Sequence, residues 1–464
     1  MKKLLAAAIG LTLVLSTVGC SAPKENASSS EKTQISIGMW PTNKEKDPEK
    51  YEHYQNLKAR FEEANPDVEI IPDNWSFSLE TFLAKAASGN LPTLYEVYFT
   101  EGQRVINAGY CADVTDYIKK YGYETKIKDS IKSLIMKEDK YYMVPQSSYN
   151  MGLYINKPLF AQAGLVNEDG SVIVPQTYEE LAEFAGIIKE KTGQPGICIC
   201  TANNTGGWNF LNIAWAYGTE FMKQDESGKW KATFDSPECA AALQWIKDLK
   251  WKYNAIPETS FATGTEQQKY FGADQAGMFI GTPPQDELIS IYNMNTEDIC
   301  IAALPAGPAG RFSQVGGVLS VIKQGSTPEQ IDAVFRWLEF SNSSYTLSED
   351  AKQTMEGSYQ LRANKGLPIG FYQYSPWADS AEKTTFEQSI VDKYANIPAA
   401  NVKEFNNPPE DMQLKPEEPV NCQELYAALD ACIQEVITNE SADPAALLQQ
   451  AAEDFQRDYL DSAE

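Results

Sequence analysis

Histidine is all but absent: His53 is the single one in 464 residues, and it falls on an expected surface helix among charged neighbours. Hydrolysis by a serine or cysteine nucleophile with an imidazole base is therefore excluded unless His53 carries it. Basic clusters are missing as well. With 39 Lys and Arg against 64 Asp and Glu, the formal charge of −25 repels phosphate backbones, so nucleic acid is not an expected partner and the acidity reads as solubility. Past Leu15 no apolar run reaches the roughly 20 residues that cross a bilayer. Neither a phosphate-cradling glycine loop nor a zinc-protease helix motif occurs. Cysteine is sparse: beyond Cys20 stand Cys111, Cys198, Cys200, Cys239, Cys300, Cys422 and Cys432, an odd, scattered set unlike the dense framework of a disulfide-stapled domain. They read as core thiols. Cys198 and Cys200 are two apart in GICIC, on one face of an expected strand, which argues against a redox or zinc pair. Neither a metal nor a cofactor is expected.

What is present begins with Lys2 and Lys3, an apolar run from Leu4 to Leu15 broken only by Gly10 and Thr12, and small residues Ser16 to Gly19 leading to Cys20. This is the layout of an export signal. Its ending resembles the lipobox of bacterial lipoproteins, in which Cys20 becomes the lipidated first residue of the mature chain. Thr17 stands where that motif usually has leucine, and an ordinary secretory signal with an incidental cysteine is the alternative. Residues 21–33 are almost devoid of apolar side chains and are expected to be a flexible linker after a signal peptide at 1–20.

About 430 residues remain, enough for two or three domains with real cores. Gln34 to Trp40 alternates as a strand does; Tyr51, Tyr54, Leu57 and Phe61 then recur at helical spacing until Asn65-Pro66, and Val68 to Ile71 is the next strand. Helix starts are marked at Thr177 with Glu180, at Asp235-Ser236-Pro237, at Thr327-Pro328 and at Asp443-Pro444. In YINKPLFAQAGL, Asn156 can cap the helix begun at Pro158 and Gly164 can end it. Strand and helix in alternation imply the α/β class with parallel sheets.

The segments FEEANPDVEI, ASGNLPTLYEV, GYCADVTDYI and above all DKYYMVPQSSYNMGLYINKPLFAQAGL, followed in order by PQTYEELAEFA, TFDSPECAAALQWIKDL, GADQAGMFI, LPAGPAGRFSQVGGVLSVI and DAVFRWLEFSNSS, resemble the family 1 extracellular solute-binding proteins of ATP-binding-cassette importers. The resemblance implies a two-lobed, periplasmic-binding-protein-like (type II) fold with a ligand cleft between the lobes and three hinge crossings, near Val144–Asn150, Cys300–Pro305 and Phe340–Ser348. Lobe 1 is then expected to take 34–147 and 303–345, and lobe 2 to take 148–302 and 346–464. It further implies a monomeric, lipid-anchored receptor on the extracellular face of a bacterial cytoplasmic membrane, with a carbohydrate ligand and membrane permease subunits as partners and no covalent chemistry.

Sugar clefts stack aromatic rings on pyranose faces and meet the hydroxyl groups with carboxylates and amides. Candidates stand where strands end: Trp40 with Asn43, and Tyr98 with Thr100 and Glu101. In the second lobe the resemblance singles out Trp208, with Asn204 nearby, and Tyr149 at the hinge. Where the family carries a further tryptophan after GMFI, this chain reads GTPPQD, so either Thr282 and Gln285 replace stacking with hydrogen bonds or Trp377 supplies the ring. Gly316 and Gly317 would let backbone approach the ligand, or are turn or sheet glycines. Trp245 and Trp337, within amphipathic helices, are expected to be core. Two other classes remain open at this point: a secreted carboxylate glycoside hydrolase, which needs two acids at a set separation, and a surface adhesin, which would show repeats or all-β spacing.

Overall fold

Alternation along Thr33–Ile37 turns Ile35 and Ile37 into the interior, and this strand pairs in parallel with Val68–Pro72, Ile35 opposite Ile70, and with Leu94–Tyr98 through Ile37 and Leu94. The computed structural model describes residues 32–45, 48–259, 261–379 and 381–461, so Cys20 and the signal segment lie outside the described residues. The long strand Gly310–Ile322 completes the first sheet. Its Val318–Ile322 half runs antiparallel to Leu94–Tyr98, and its other edge is antiparallel to Met143–Asn150. Packed around this sheet are Phe61, Val105, Ile118, Phe335 and Trp337, which with the strands form the core of the first lobe.

A second, separate core gathers Leu153, Phe160, Leu181, Phe210, Trp215, Leu243, Trp245, Leu425 and Leu448. Its sheet overturns the expectation of parallel strands: Gly152–Asn156 lies in the middle and runs antiparallel to both Met278–Gly281 and Ile299–Ala302. Several helices intervene between these strands, so alternation fixes the class but not the direction in which each strand returns. The architecture is two-lobed α/β, and among the described residues no helix is long and apolar enough to cross a membrane.

Helix starts obey their local signals. Thr177, Ser236, Thr327 and Asp443 each accept a backbone N–H of the first turn, and Asn156 accepts from Leu159 while Gly164 closes that helix at φ 78°. Glu180 reaches one residue further back than a capping box requires, accepting the Gln176 N–H at 2.7 Å. All seven described cysteines are buried free thiols.

The crossings depart from expectation. Met143–Asn150 does pass between the cores: Met143 and Val144 belong to the first, Met151 and Leu153 to the second. The second crossing is not at Cys300–Pro305, because Cys300, Ala302 and Leu304 are all in the second core and Arg311 is held there through the Leu304 and Gln176 carbonyls. It falls within Gly310–Ile322. Residues Arg311–Val315 pair with Met412–Pro416 on the second lobe, Val318–Ile322 pair with Leu94–Tyr98 on the first, and Gly316-Gly317 lies between the two ladders. Ser313 stitches the two crossing strands together, bonding both the N–H and the carbonyl of Met151 at 2.9 Å.

After Leu338 the chain does not pass once into lobe 2. Phe371 packs with Tyr154 and Phe279 of the second lobe's sheet, Trp377 and Ala381 return to the first core, and Ile397, Val402 and Phe405 leave it again. The expected boundary at 302/303 falls inside the second core, between Ala302 and Leu304, whereas near 345/346 the chain leaves the first core at Tyr345 for a small separate cluster of Leu347, Ala351, Met355 and Ile390.

Candidate functional site

In the first lobe, Leu94–Tyr98 ends in a 3-10 turn, Phe99–Glu101, that runs into the helix Gly102–Asn107. Gly102 permits this tight joint, since a Cβ there would stand 2.6 Å from the Leu134 carbonyl oxygen. The turn leaves Tyr98 55% exposed but Glu101 only 3%. Glu101 Oε1 accepts the Thr100 hydroxyl at 3.3 Å, whereas Oε2 is buried without a hydrogen-bond partner. Burial pushes the Glu101 carboxyl up, and Arg104, 3.6 Å away, offsets part of that.

In the second lobe the helix Thr205–Tyr217 begins against Cys422–Thr438. Asp430 of the latter caps it, accepting the N–H groups of Asn204 at 2.6 Å and Gly207 at 2.7 Å; a carboxylate at a helix N-terminus is favourably placed. Gly207 is required for the nesting, because its Cβ would meet Tyr426 backbone at 2.3 Å. This docking fixes Trp208 in the first turn. Its Nε1–H donates to Glu417 at 3.1 Å, and the Tyr426 hydroxyl donates to the same carboxylate oxygen at 2.8 Å.

Between the lobes stands Tyr149, at the end of Met143–Asn150. Its ring meets that of Trp208 edge-on, centroids 6.2 Å apart at 75°. Gly316 makes room for it: a Cβ there would be 2.2 Å from the Tyr149 hydroxyl. Burial raises the Tyr149 phenol well above its ordinary range, with Glu417 and Tyr98 adding to the rise. The two lobes touch here. Arg104 lies 3.9 Å from Glu424 Oε1, Glu101 is close enough for its charge to push the Glu417 carboxyl up, and Glu424 Oε2 is buried without a hydrogen-bond partner.

Burial is the main cause that pushes the Glu417 carboxyl up, to about 7. From the ordinary value of 4.5 up to about 7 the folded protein binds this proton more tightly than the unfolded chain, so stability falls as pH rises through that window, by up to about 3 kcal/mol. Urea midpoints of the wild type and Glu417→Gln, compared at pH 5 and pH 8, are expected to show a shallower decline in the variant. Equal declines would remove Glu417 as their source.

Of the residues expected from sequence, Tyr98, Thr100, Glu101, Tyr149 and Trp208 are brought together at this seam, and Asn204 joins its edge by donating to Gln423 at 3.2 Å. Others are elsewhere. Trp40 is 1% exposed and packs edge-on to Tyr54 at 5.1 Å and against Trp337 at 5.9 Å; an apolar ring at the end of the first strand is drawn under the helix Pro48–Ala64. Trp377 is 0% exposed, packed on Tyr123 and Tyr345, and cannot offer a face to a ligand. Asn43 is exposed and accepts the Glu45 N–H in its own turn. Thr282 and Gln285 serve their own loop, the Gln285 amide donating to the Thr282 carbonyl at 2.6 Å and accepting from Gln268. At Gly317 the close neighbours are the Ser147 carbonyl and the Phe99 ring, so its missing side chain serves sheet packing. Trp245 and Trp337 are buried in the two cores as expected.

Sequence reading missed Arg104, Glu417, Glu424 and Asp430. One signal was available for Glu417: in KPEEPVN two acids stand between prolines just before an apolar helix, an arrangement that pins their backbone at the end of a strand.

The family model for bacterial extracellular solute-binding proteins matches residues 46–343. Among curated relatives, the sn-glycerol-3-phosphate-binding periplasmic protein UgpB of Salmonella typhimurium is 23% identical over 355 residues, 71% of this chain and 76% of its own. Solved structures share the fold. The GacH receptor of Streptomyces glaucescens, determined unliganded and with acarbose, superposes with a TM-score of 0.67 at 20% identity, covering 93% of this chain and 100% of that one. UgpB of Mycobacterium tuberculosis, in complex with glycerophosphocholine, gives 0.67 at 15% identity over 92% and 98% of the two chains. The family match spans well over half of the sequence, and a two-lobed fold whose lobes meet around facing aromatic and carboxylate groups agrees with it: the chain belongs to the bacterial extracellular solute-binding proteins, the binding components of ABC importers rather than enzymes.

Proposed function

We propose that the protein captures a carbohydrate, an oligosaccharide in particular, between its lobes and delivers it to the permease subunits of an ABC importer, as a monomer held at the extracellular face of the cytoplasmic membrane by lipid on Cys20. The observation that carries the carbohydrate reading is the Tyr149–Trp208 aromatic corner, near buried carboxylate oxygens of Glu101 and Glu424 that accept no hydrogen bond. Ring faces suit the apolar side of a pyranose, and carboxylates accept from its hydroxyl groups. GacH, solved with acarbose, points the same way. sn-Glycerol 3-phosphate, for which the Salmonella relative is named, is the competing ligand; the two carboxylates Glu101 and Glu424, against the single guanidinium of Arg104, oppose a phosphate.

A thermal-shift panel of neutral oligosaccharides and glycerol phosphates tests this. A sugar at 100 times its dissociation constant is expected to stabilise the protein by about 2.7 kcal/mol, and small-angle scattering with that sugar is expected to show compaction as the lobes rotate about the crossing strands. A response to glycerol phosphates alone would refute the carbohydrate reading. The anchor is tested separately: Cys20→Ala is expected to abolish lipid labelling and membrane retention, and a variant that stays lipid-labelled would refute the tether.

A further inference from the structure

We propose that the solute bears a single positive charge, as an amine on a sugar, and that the seam between Glu101 of the first lobe and Glu424 of the second receives that amine. The inference deepens the carbohydrate reading and rests on it.

The charge at the seam is uneven. Asp430 is answered by the amides of a helix start. Glu417 is enclosed, accepts two neutral donors, and holds a proton up to about pH 7. That leaves Glu101 and Glu424 sharing the guanidinium of Arg104, at 3.6 and 3.9 Å, beyond direct hydrogen bonding. Arg104 is nearly half exposed whereas Glu101 is almost wholly buried, so water screens the cation more than the anion beside it. When both carboxyls are ionised, one negative charge stays unmatched, and burial with the Glu424 charge opposes that state of Glu101 until a cation answers it.

Two observations point to what would match it. Glu101 Oε2 and Glu424 Oε2, one from each lobe, are shut away from solvent without a hydrogen-bond donor, the former facing Arg104 only at 3.6 Å, and a buried carboxylate oxygen is costly unless it is hydrogen-bonded and its charge answered. Sugar hydroxyl groups supply the hydrogen bonds but not the charge; an ammonium group supplies both. The neighbouring Tyr149–Trp208 pair acts in the same direction, because aromatic faces attract a cation and have no comparable affinity for an anion. A phosphorylated solute would bring acceptors to acceptors and negative charge to negative charge.

Matched pairs of ligands test this on the purified protein at pH 6 by calorimetry: glucosamine oligomers against cello-oligosaccharides of equal length, galactosamine against galactose, and acarbose, whose bridging nitrogen is basic, against maltotetraose. In any pair that binds, the amine member is expected to be at least tenfold tighter, with the advantage shrinking as salt rises. Glu424→Gln should bring the pair close to parity while the melting temperature stays near that of the wild type, since Glu424 lies in the first turn of its helix and is partly exposed. Glu101→Gln should act likewise where it folds. Equal or tighter binding of the neutral member, or undiminished preference in Glu424→Gln, overturns the inference and leaves the carbohydrate reading standing. If no member of any pair binds, or if glycerol 3-phosphate binds instead, the carbohydrate reading and the inference both fall.

Discussion

Trp208→Ala is expected to weaken solute binding by roughly 30-fold or more, the usual cost of about 2 kcal/mol for removing a central aromatic contact. The ring is the second lobe's face toward the seam, and its loss also deprives Tyr149 of the edge it packs against. Trp208 is not on a free loop, however: it stands in the first turn of Thr205–Tyr217 and its indole N–H serves Glu417. Alanine therefore leaves a buried carboxylate with one donor fewer, and the melting temperature should fall too. Trp208→Phe separates the two effects. It keeps most of the ring, so binding should be largely retained, but it lacks the N–H, so the stability loss and a higher Glu417 pKa should persist. Trp245→Ala, in the second core, should show the opposite pattern, with a large loss of stability and binding preserved in the folded fraction. Normal affinity in folded Trp208→Ala would remove this corner from the site.

Gly207→Ala should be among the most damaging single-methyl changes in the chain. Its Cβ would stand 2.3 Å from the Tyr426 carbonyl oxygen and 2.6 Å from the Tyr426 Cα, which are backbone atoms of a packed helix and cannot turn aside. Overpacking of this kind typically costs about 1–3 kcal/mol, and here it also pries the helix start from its Asp430 cap, so the upper end or beyond is expected. Gly264→Ala is the control. It begins a helix, and an added Cβ there meets nothing within 4 Å, so it should be neutral or stabilise by about 0.4–1 kcal/mol through the unfolded chain. Denaturant midpoints of the two variants decide the matter; a Gly207→Ala protein as stable as the wild type would mean that the helix pair is free to separate.

The helix caps were legible because a cap is a local contract: Asn156, Thr177, Ser236, Thr327 and Asp443 need only the next few residues to do their work. Tyr98, Glu101, Tyr149 and Trp208 were expected at the cleft from strand ends and resemblance, and the fold brings them to one seam. What failed depended on partners far away in sequence. Whether a tryptophan after a strand faces ligand or core is settled for Trp40 by Trp337, almost 300 residues on, and for Trp377 by Tyr123 and Tyr345. The second crossing was misplaced because one continuous strand carries the chain from lobe to lobe, and a sequence gives no break where the structure has none. Arg104 and Glu424 become partners only once the lobes face each other.

That continuous strand has a mechanical implication. It is gripped at both ends by ladders to different lobes, and the two residues between those grips are both glycine, paired only with Tyr149 and Ser148 of the other crossing strand; glycine is the residue that twists with least resistance. Gly316 is also the surface on which the Tyr149 hydroxyl rests. Any torsion that swings one lobe toward the other therefore turns the bed beneath the aromatic corner, as a cam moves its follower, and any ligand that presses on Tyr149 pushes back on the shaft. If the lobes swing about this strand as proposed, the grip on the solute and that swing are geared together at one pair of peptide bonds. A side chain at Gly316 would jam that gear without touching either lobe's core.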